Sequence, residues 1–253
     1  MFPAATSVLP VQPQTRREPV GRQGLIWQLL SGALDSLAVA SGAAEVLDCG
    51  GGSGTFAVPI AQSGAVVTVV DISVDALGTL RRRAEDAGVG KRVNAVQGDV
   101  EALADAIGSA TFDLVLAHGI LGAVEDVAAA FVAIAGRVRP GGQLSVLVEN
   151  PVAGVLARAM AGDLAAALQE LHALTARQSA LGPDSVRALC EDHGLRVEAE
   201  HGIGVFGELV PGRALDAPGA REALEQLESD SATHAPFRDI AARVHLLARR
   251  PAG

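Results

Sequence analysis

The residues best suited to chemistry lie in a glycine-rich segment at 48–54, with the sequence DCGGGSG. Glycines there allow a tight turn and let the backbone approach a ligand, and a following helix would add oriented N–H groups. The segment predicts a nucleotide-like ligand. It is not a P-loop, and it is not the dinucleotide fingerprint, because the sixth position counted from Gly50 is Thr55. A glycine turn without a ligand is the alternative.

Two carboxylates follow at spacings that suit a nucleoside. Asp71 comes seventeen positions after Gly54, close to the ~20 expected of an acid that accepts hydrogen bonds from a ribose. Its two oxygens can take both vicinal hydroxyls, although it could instead cap a helix that Ser73 could also cap. Asp99 could accept from the exocyclic amine of adenine, or cap a helix that begins near Glu101.

Alternating strands and helices must position these residues. A helix is predicted over 25–37, strands over 44–50, 65–73, 92–99, 112–119 and 143–150, a short helix closed by Gly64, a helix over 73–87, helical segments over 152–180 and 183–193, and strands over 195–206 and 242–250. Arg139-Pro140-Gly141-Gly142 is interpreted as a turn before the fifth strand. Such βαβ alternation predicts an α/β fold with a doubly wound parallel sheet.

The domain organisation follows from composition. Residues 1–20 contain four prolines and no continuous apolar run, which predicts a flexible tail. Residues 21–253 are expected to form one domain, with a cofactor-binding half at 21–150 and acceptor-side helices and closing strands at 151–253. The sequence contains no run of ~20 apolar residues, so no membrane span is expected.

The combined motifs resemble the class I S-adenosylmethionine-dependent methyltransferases. They are D-x-G-x-G-x-G at 48–54, an acid ending the second strand, Gly-Asp at 98–99 and RPGG at 139–142. The resemblance implies a seven-stranded, mostly parallel Rossmann-like sheet closed by an antiparallel hairpin, and S-adenosylmethionine as cofactor. The cofactor-binding residues it implies are Asp48, Gly50, Gly51, Gly52, Gly54, Asp71, Ile72, Asp99 and Val100.

A closer resemblance is to the bacterial tRNA 5-carboxymethoxyuridine methyltransferases. It is carried by RQGLIWQ at 22–28, His118, Asn150, Val205-Phe206 and the closing segment 236–245. It implies methylation of a carboxylate to its ester, with Arg22 on the carboxylate of the cofactor and His118 beside the cofactor. Arg22 could otherwise be a solvated residue at a helix start, and His118 a core histidine bonded to backbone.

The acceptor is expected to be either tRNA or a small molecule. The chain has a net charge of −9 and 3% aromatic residues, which disfavours a surface that grips nucleic acid. It carries Gly204, Gly207, Ala123 and Ala242 where the resembling enzymes have cationic or aromatic groups. Residues 198–230 are strongly acidic, which is usual for a solvated helix face.

No catalytic residue is assigned. A carboxylate nucleophile needs no general base, whereas a hydroxyl or amine would need one, with His118, His201 and Glu149 as candidates. Cys49 and Cys190 lack a partner at metal-ligand spacing, so no metal is expected. Two cysteines cannot form a disulfide framework, so the protein is expected to be cytoplasmic. A nicotinamide-dependent oxidoreductase and a non-catalytic cofactor-binding protein are the alternative functions.

Overall fold

The computed structural model describes residues 22–41, 43–176 and 181–252, with only the backbone of 22, 23 and 38–41. The tail expected at residues 1–20 lies outside the described residues. None of the helices within these ranges is both long enough and apolar enough to cross a bilayer.

The described residues form a seven-stranded sheet in the order β3-β2-β1-β4-β5-β7-β6. The strands are β1 (Glu45–Cys49), β2 (Val66–Asp71), β3 (Val93–Gln97), β4 (Phe112–His118), β5 (Val138–Glu149), β6 (Arg196–Ile203) and β7 (Arg243–Arg249). The first five are parallel, and β7 runs antiparallel to both of its neighbours. This confirms the doubly wound sheet and the closing hairpin.

Helices cover both faces of the sheet. They are α1 (Arg22–Ser41), α2 (Ala57–Gln62), α3 (Val74–Asp86), α4 (Leu103–Ile107), α5 (Val127–Ala135), α6 (Pro151–Met160), α7 (Leu164–Thr175), α8 (Pro183–Asp192) and α9 (Ala220–Ser231). Buried side chains of α1, α2 and α3 pack on one face, and those of α4, α5 and α8 pack on the other. Because both faces are covered, the central strands are almost continuously apolar.

β5 begins earlier than the sequence predicted. Val138 pairs with Phe112, and the pairing resumes with Gln143 opposite Leu114, so the intervening residues bulge within the strand. Gly142 is required there, because a Cβ would lie 3.0 Å from the carbonyl oxygen of Phe112. The RPGG segment is therefore a bulge inside β5 and not a turn before it.

The predicted helical segment 152–180 is two helices, and residues 177–180 lie outside the described part. Gly162, with φ of +83°, separates α6 from α7, and Asp163 caps α7 by accepting from the backbone N–H of Ala166. The hairpin exposes an apolar stripe formed by Val152, Leu156, Met160, Leu164, Leu168 and Leu171. Ala167 is its one buried residue among those described. The hairpin thus adds little to the core.

Candidate functional site

The candidate site lies at the carboxyl ends of β1 and β4, where the strand order reverses. In doubly wound sheets, this reversal opens a crevice in which ligands bind. The glycine-rich segment follows β1 directly, and Gly50, Gly52 and Gly54 all have positive φ, at 70°, 53° and 80°. At Gly50 a Cβ would meet the side chain of Ile120 at 2.7 Å, so this turn packs closely against the residues that follow β4.

Asp71 is joined to the glycine turn. Its Oδ2 accepts a hydrogen bond from the backbone N–H of Gly52 at 2.9 Å, and its Oδ1 accepts from that of Ser73 at 2.8 Å. Ser73 itself caps α3 by accepting from Ala76 N. Asp71 is therefore not the cap of that helix. The adjacent Ile72 is 70% exposed at the same edge.

Asp48 is a buried carboxyl without a hydrogen-bond partner at Oδ2 among the described residues. Burial, and next the negative charge of Asp71, raise the pKa of Asp48 to about 7. An unpaired buried carboxylate is costly. The group that would relieve this cost is a cation or a hydrogen-bond donor placed at the turn.

Asp99 and Val100 follow β3. Asp99 is exposed, and its Oδ1 accepts from Glu101 N at 2.9 Å, so it caps the short 3-10 turn over Val100–Ala102. Val100 is 3% exposed and packs in the core, which leaves only its backbone for a ligand. The capping alternative for Asp99 is thus observed.

His118, at the end of β4, belongs to a hydrogen-bonded chain that crosses the sheet. Its Nε2 lies 2.8 Å from Ser145 Oγ, which lies 2.8 Å from Nε2 of His245. Nδ1 of His245 lies 3.5 Å from Nδ1 of His201. His118 is therefore bonded to a serine hydroxyl and not, as the alternative held, to backbone.

Strand register explains this chain. Leu147 pairs with His118 on one side and with His245 on the other, and His245 pairs with His201. Ser145 lies two residues before Leu147, so all of these side chains share the sheet face that α1 covers. Four separate strands supply one continuous polar line.

The imidazoles of the chain are neutral near neutral pH. Burial, and next the charge of Arg243, lower the pKa of His118 to about 3. Burial lowers the pKa of His245 well below its ordinary value, and the neighbouring histidines add to this. Nδ1 of His118 is buried and has no partner in the described part of the chain. The Phe56 ring meets the His118 ring edge-on at 4.8 Å.

Glu149 and Arg243 lie beside this chain, at the end of β5 and at the start of β7 respectively. Their closest approach, from Arg243 Nε to Glu149 Oε1, is 3.9 Å, and the Glu149 side chain is 83% exposed. Sequence reasoning overlooked Ser145, Arg243 and the role of His245. A histidine within the otherwise apolar run of β7 was the available signal.

Other predicted positions have structural roles. Arg22 begins α1, but its side chain lies outside the described part. Asn150 caps α6 and donates to the carbonyl oxygens of Asp239 and Ala241. Glu228 is 1% exposed, which departs from the expected solvated acidic face. Its carboxylate accepts from the backbone N–H groups of residues 205–207 at 2.7–2.9 Å.

Comparisons with known proteins agree with this geometry. Residues 46–142 match the family described as "Methyltransferase domain". The tRNA 5-carboxymethoxyuridine methyltransferase of Escherichia coli is 25% identical over 236 residues, which cover 91% of this chain and 88% of that protein. A ubiquinone biosynthesis O-methyltransferase of Methylocella silvestris is 36% identical over 118 residues, covering 47% of this chain and 44% of that protein.

Solved structures share the fold. The N-methyltransferase NodS from Bradyrhizobium japonicum, in complex with S-adenosyl-L-homocysteine, is 16% identical with a TM-score of 0.58, covering 94% of this chain and 92% of that one. The magnesium protoporphyrin IX methyltransferase from Synechocystis, with bound S-adenosyl-L-homocysteine, is 15% identical with a TM-score of 0.57, covering 91% and 85%. The sheet is thus the Rossmann-like sheet of such enzymes.

Proposed function

Since this chain is an S-adenosylmethionine-dependent methyltransferase, we propose that it methylates an oxygen of a small organic acceptor. The reaction takes place in the crevice between the carboxyl ends of β1 and β4. The bound cofactor supplies an electrophilic methyl group on a positively charged sulfur. The protein then has to orient the acceptor and exclude water. We place the enzyme in the cytoplasm.

The cofactor is held by the turn and by the acids around it. One lone pair of each Asp71 oxygen is used by a backbone N–H, which leaves the second for a ribose hydroxyl. Asp48 offers Oδ2, which has no partner within the described part of the chain, to a positively charged group of the cofactor. The exposed Ile72 gives the adenine an apolar surface, beside Asp99. Arg22 would pair with the cofactor carboxylate.

The backbone glycines complete the cradle. Gly50, Gly51, Gly52 and Gly54 flank the methionine and ribose parts, Val100 contributes backbone at the adenine, and His118 borders the methyl group. The observation that supports this cofactor site is the hydrogen bond from Gly52 to Asp71, because it joins the glycine turn to the acid that we assign to the ribose.

Local charge favours a small acceptor over tRNA. The backbone N–H groups of residues 205–207 donate to an internal carboxylate, that of Glu228, and so they are not available to bind a nucleic-acid phosphate. Gly204, Gly207 and Ala242 add no cation, and the chain has a net charge of −9. tRNA is the second candidate, because the similarity to the tRNA methyltransferase spans 91% of the chain.

Two assays test the proposal. Calorimetry on the purified protein with S-adenosylhomocysteine and with NADH should show binding of the first alone; binding of NADH alone contradicts the proposal and favours an oxidoreductase.

Methyl-labelled S-adenosylmethionine is then offered with bulk tRNA from cells lacking the gene, and separately with small hydroxy and carboxylic compounds. We expect label in small molecules. Label in a tRNA methyl ester contradicts a small acceptor, and binding without transfer to either class points to a non-catalytic protein.

A further inference from the structure

We propose that His118, Ser145, His245 and His201 form a proton relay, and that the methyl acceptor is therefore a hydroxyl group. The inference rests on the proposed function and names its acceptor class. It differs from the carboxylate that the resemblance to tRNA enzymes implies. The observation behind it is the continuous line of side chains joined by steps of 2.8, 2.8 and 3.5 Å, which begins at a nitrogen that has no partner among the described residues.

The four side chains share one direction of hydrogen bonding. A serine hydroxyl has one hydrogen to donate, so Ser145 donates to either His118 or His245 and accepts from the other. A neutral imidazole carries one N–H, so this choice passes through His245 to His201. The chain therefore has two arrangements, and switching between them moves one proton from one end to the other.

The resting arrangement leaves a lone pair on Nδ1 of His118. A buried N–H without a partner is rarer in proteins than an under-satisfied acceptor atom. With the lone pair there, Nε2 of His118 donates to Ser145, Ser145 donates to His245, and Nδ1 of His245 donates to His201. Nδ1 of His118 is then ready to accept from an O–H group.

Methyl transfer to a hydroxyl then balances without a charged intermediate in the protein. The acceptor oxygen forms its bond to the methyl carbon as the carbon–sulfur bond breaks, and that electron pair stays on sulfur. The hydroxyl proton passes to Nδ1 of His118. In the same event His118 Nε2 passes its proton to Ser145, Ser145 passes its proton to His245, and His245 passes its proton to His201. Nε2 of His201 releases a proton to water, so no imidazolium forms.

Burial makes such a relay necessary. An imidazole whose pKa is lowered to about 3 is a poor base if it must keep the proton. Passing the proton on lets His118 accept one without becoming an imidazolium. Half-buried His201 lies at the far end, on β6 at the sheet edge. The positive charge of Arg243 also lowers the pKa of His118, which disfavours an imidazolium there and again favours passing the proton on.

Ser145→Ala is the test of the relay. The assay uses acceptor pairs that differ only in carrying a hydroxyl or a carboxylate, with labelled S-adenosylmethionine. We expect hydroxyl compounds to be methylated, and Ser145→Ala to lower kcat about 100-fold with KM for the cofactor unchanged, because a positioned proton acceptor contributes about 10²–10⁴. Ser145→Thr keeps the hydroxyl and should restore most of kcat. The matched control is Ser231→Ala, which removes another buried hydroxyl.

A second readout needs no acceptor. NMR of the wild-type protein with ¹⁵N-labelled histidine should show neutral His118 with its proton on Nε2, and Ser145→Ala should populate both tautomers. A resting proton on Nδ1 overturns the relay, and so does equal kcat in Ser145→Ala and wild type. Methylation of carboxylates alone overturns the hydroxyl class while leaving the small-acceptor proposal intact. Methylation of tRNA alone contradicts the proposed function itself.

Discussion

The backbone N–H of Gly52 donates to Oδ2 of Asp71 across 2.9 Å, which fastens the turn after β1 to the end of β2. A Cβ at Gly52 would meet nothing nearer than that oxygen, at 3.8 Å. Open space is therefore preserved above the turn, and the acid that shapes the turn also faces this space. One carboxylate therefore holds the turn in shape and also borders the space above it.

Replacing Asp71 by Ala should weaken cofactor binding by at least about 1 kcal/mol, because hydrogen bonds to the ribose are lost together with the tie to Gly52. Calorimetry with S-adenosylhomocysteine measures this difference. Asp75→Ala, an exposed carboxylate in the first turn of α3, is the matched control and should bind like wild type. Equal affinity in the two variants would show that the ribose assignment is wrong.

Asp48 should make the protein less stable as pH rises. The folded-state pKa, about 7, lies above the ordinary value of 3.8, so between these values the folded state holds a proton that the unfolded chain has lost. The free energy of unfolding then falls with rising pH across this window, by at most about 4 kcal/mol. Asp48→Asn cannot titrate, so it should escape this fall.

Urea unfolding at pH 5 and pH 8 measures the effect. The advantage of Asp48→Asn over wild type should be larger at pH 8. Asp75→Asn is the control and should show no such change. A constant difference between Asp48→Asn and wild type at the two pH values speaks against a proton on Asp48.

The relay predicts loss of activity in acid. A protonated His201 carries hydrogens on both nitrogens, so it cannot accept from His245, and the relay is held in its other arrangement. Burial lowers the pKa of His201 below 6.5, opposed by the charge of Glu200. Activity should therefore be full near neutral pH and decline only below pH 6.5.

The charged groups around His201 set the pH at which activity declines. Glu200 precedes it on β6 and is paired with Arg187 of α8, while Arg243 lies on β7 and Arg238 packs against the following Gly202. Profiles of kcat/KM against pH for wild type and for Glu200→Gln measure the effect. Because Glu200 raises the pKa of His201, Glu200→Gln should move the decline to lower pH. A decline at the same pH in both proteins counts against His201 as its source.

Glu228→Ala should destabilise the fold by several kcal/mol. The buried carboxylate accepts from three backbone N–H groups, and hydrogen bonds to a charged group are worth about 1.5–3 kcal/mol each before relaxation. Thermal or urea unfolding measures the loss. Glu225→Ala, on the exposed side of the same helix, should leave stability within about 0.5 kcal/mol. Equal stability of the two variants would mean that water satisfies these amides.

The fold was largely predictable from sequence, because its signals are local. A β-branched run marked β2, β1 leads directly into the glycine-rich turn, and that turn has a short spacing to Asp71. β5 was predicted to begin too late, because its start is paired to β4 across a bulge. Pairing between distant segments leaves no periodic signal in the chain.

Of the candidate site, the glycine turn and Asp71 could be predicted to lie together, whereas the polar line across the sheet could not. The polar line is formed by residues of four strands, namely His118, Ser145, His245 and His201. These residues are spread over 127 positions of the sequence, from 118 to 245, and only the order of the strands in the sheet brings them together. Glu228 was grouped with the solvated acids around it, because its burial depends on a loop that folds onto α9. Such contacts are decided by tertiary packing and not by local propensity.

The α6–α7 hairpin can change in sequence at little cost to the fold. Its one buried side chain among those described is Ala167, and its apolar stripe faces outward. Substitutions along this stripe therefore cost the sheet little, whereas equivalent changes in β4 or β5 would disturb the core. Selection can vary the surface of the hairpin separately from the sheet, so changes on this surface need not compromise folding.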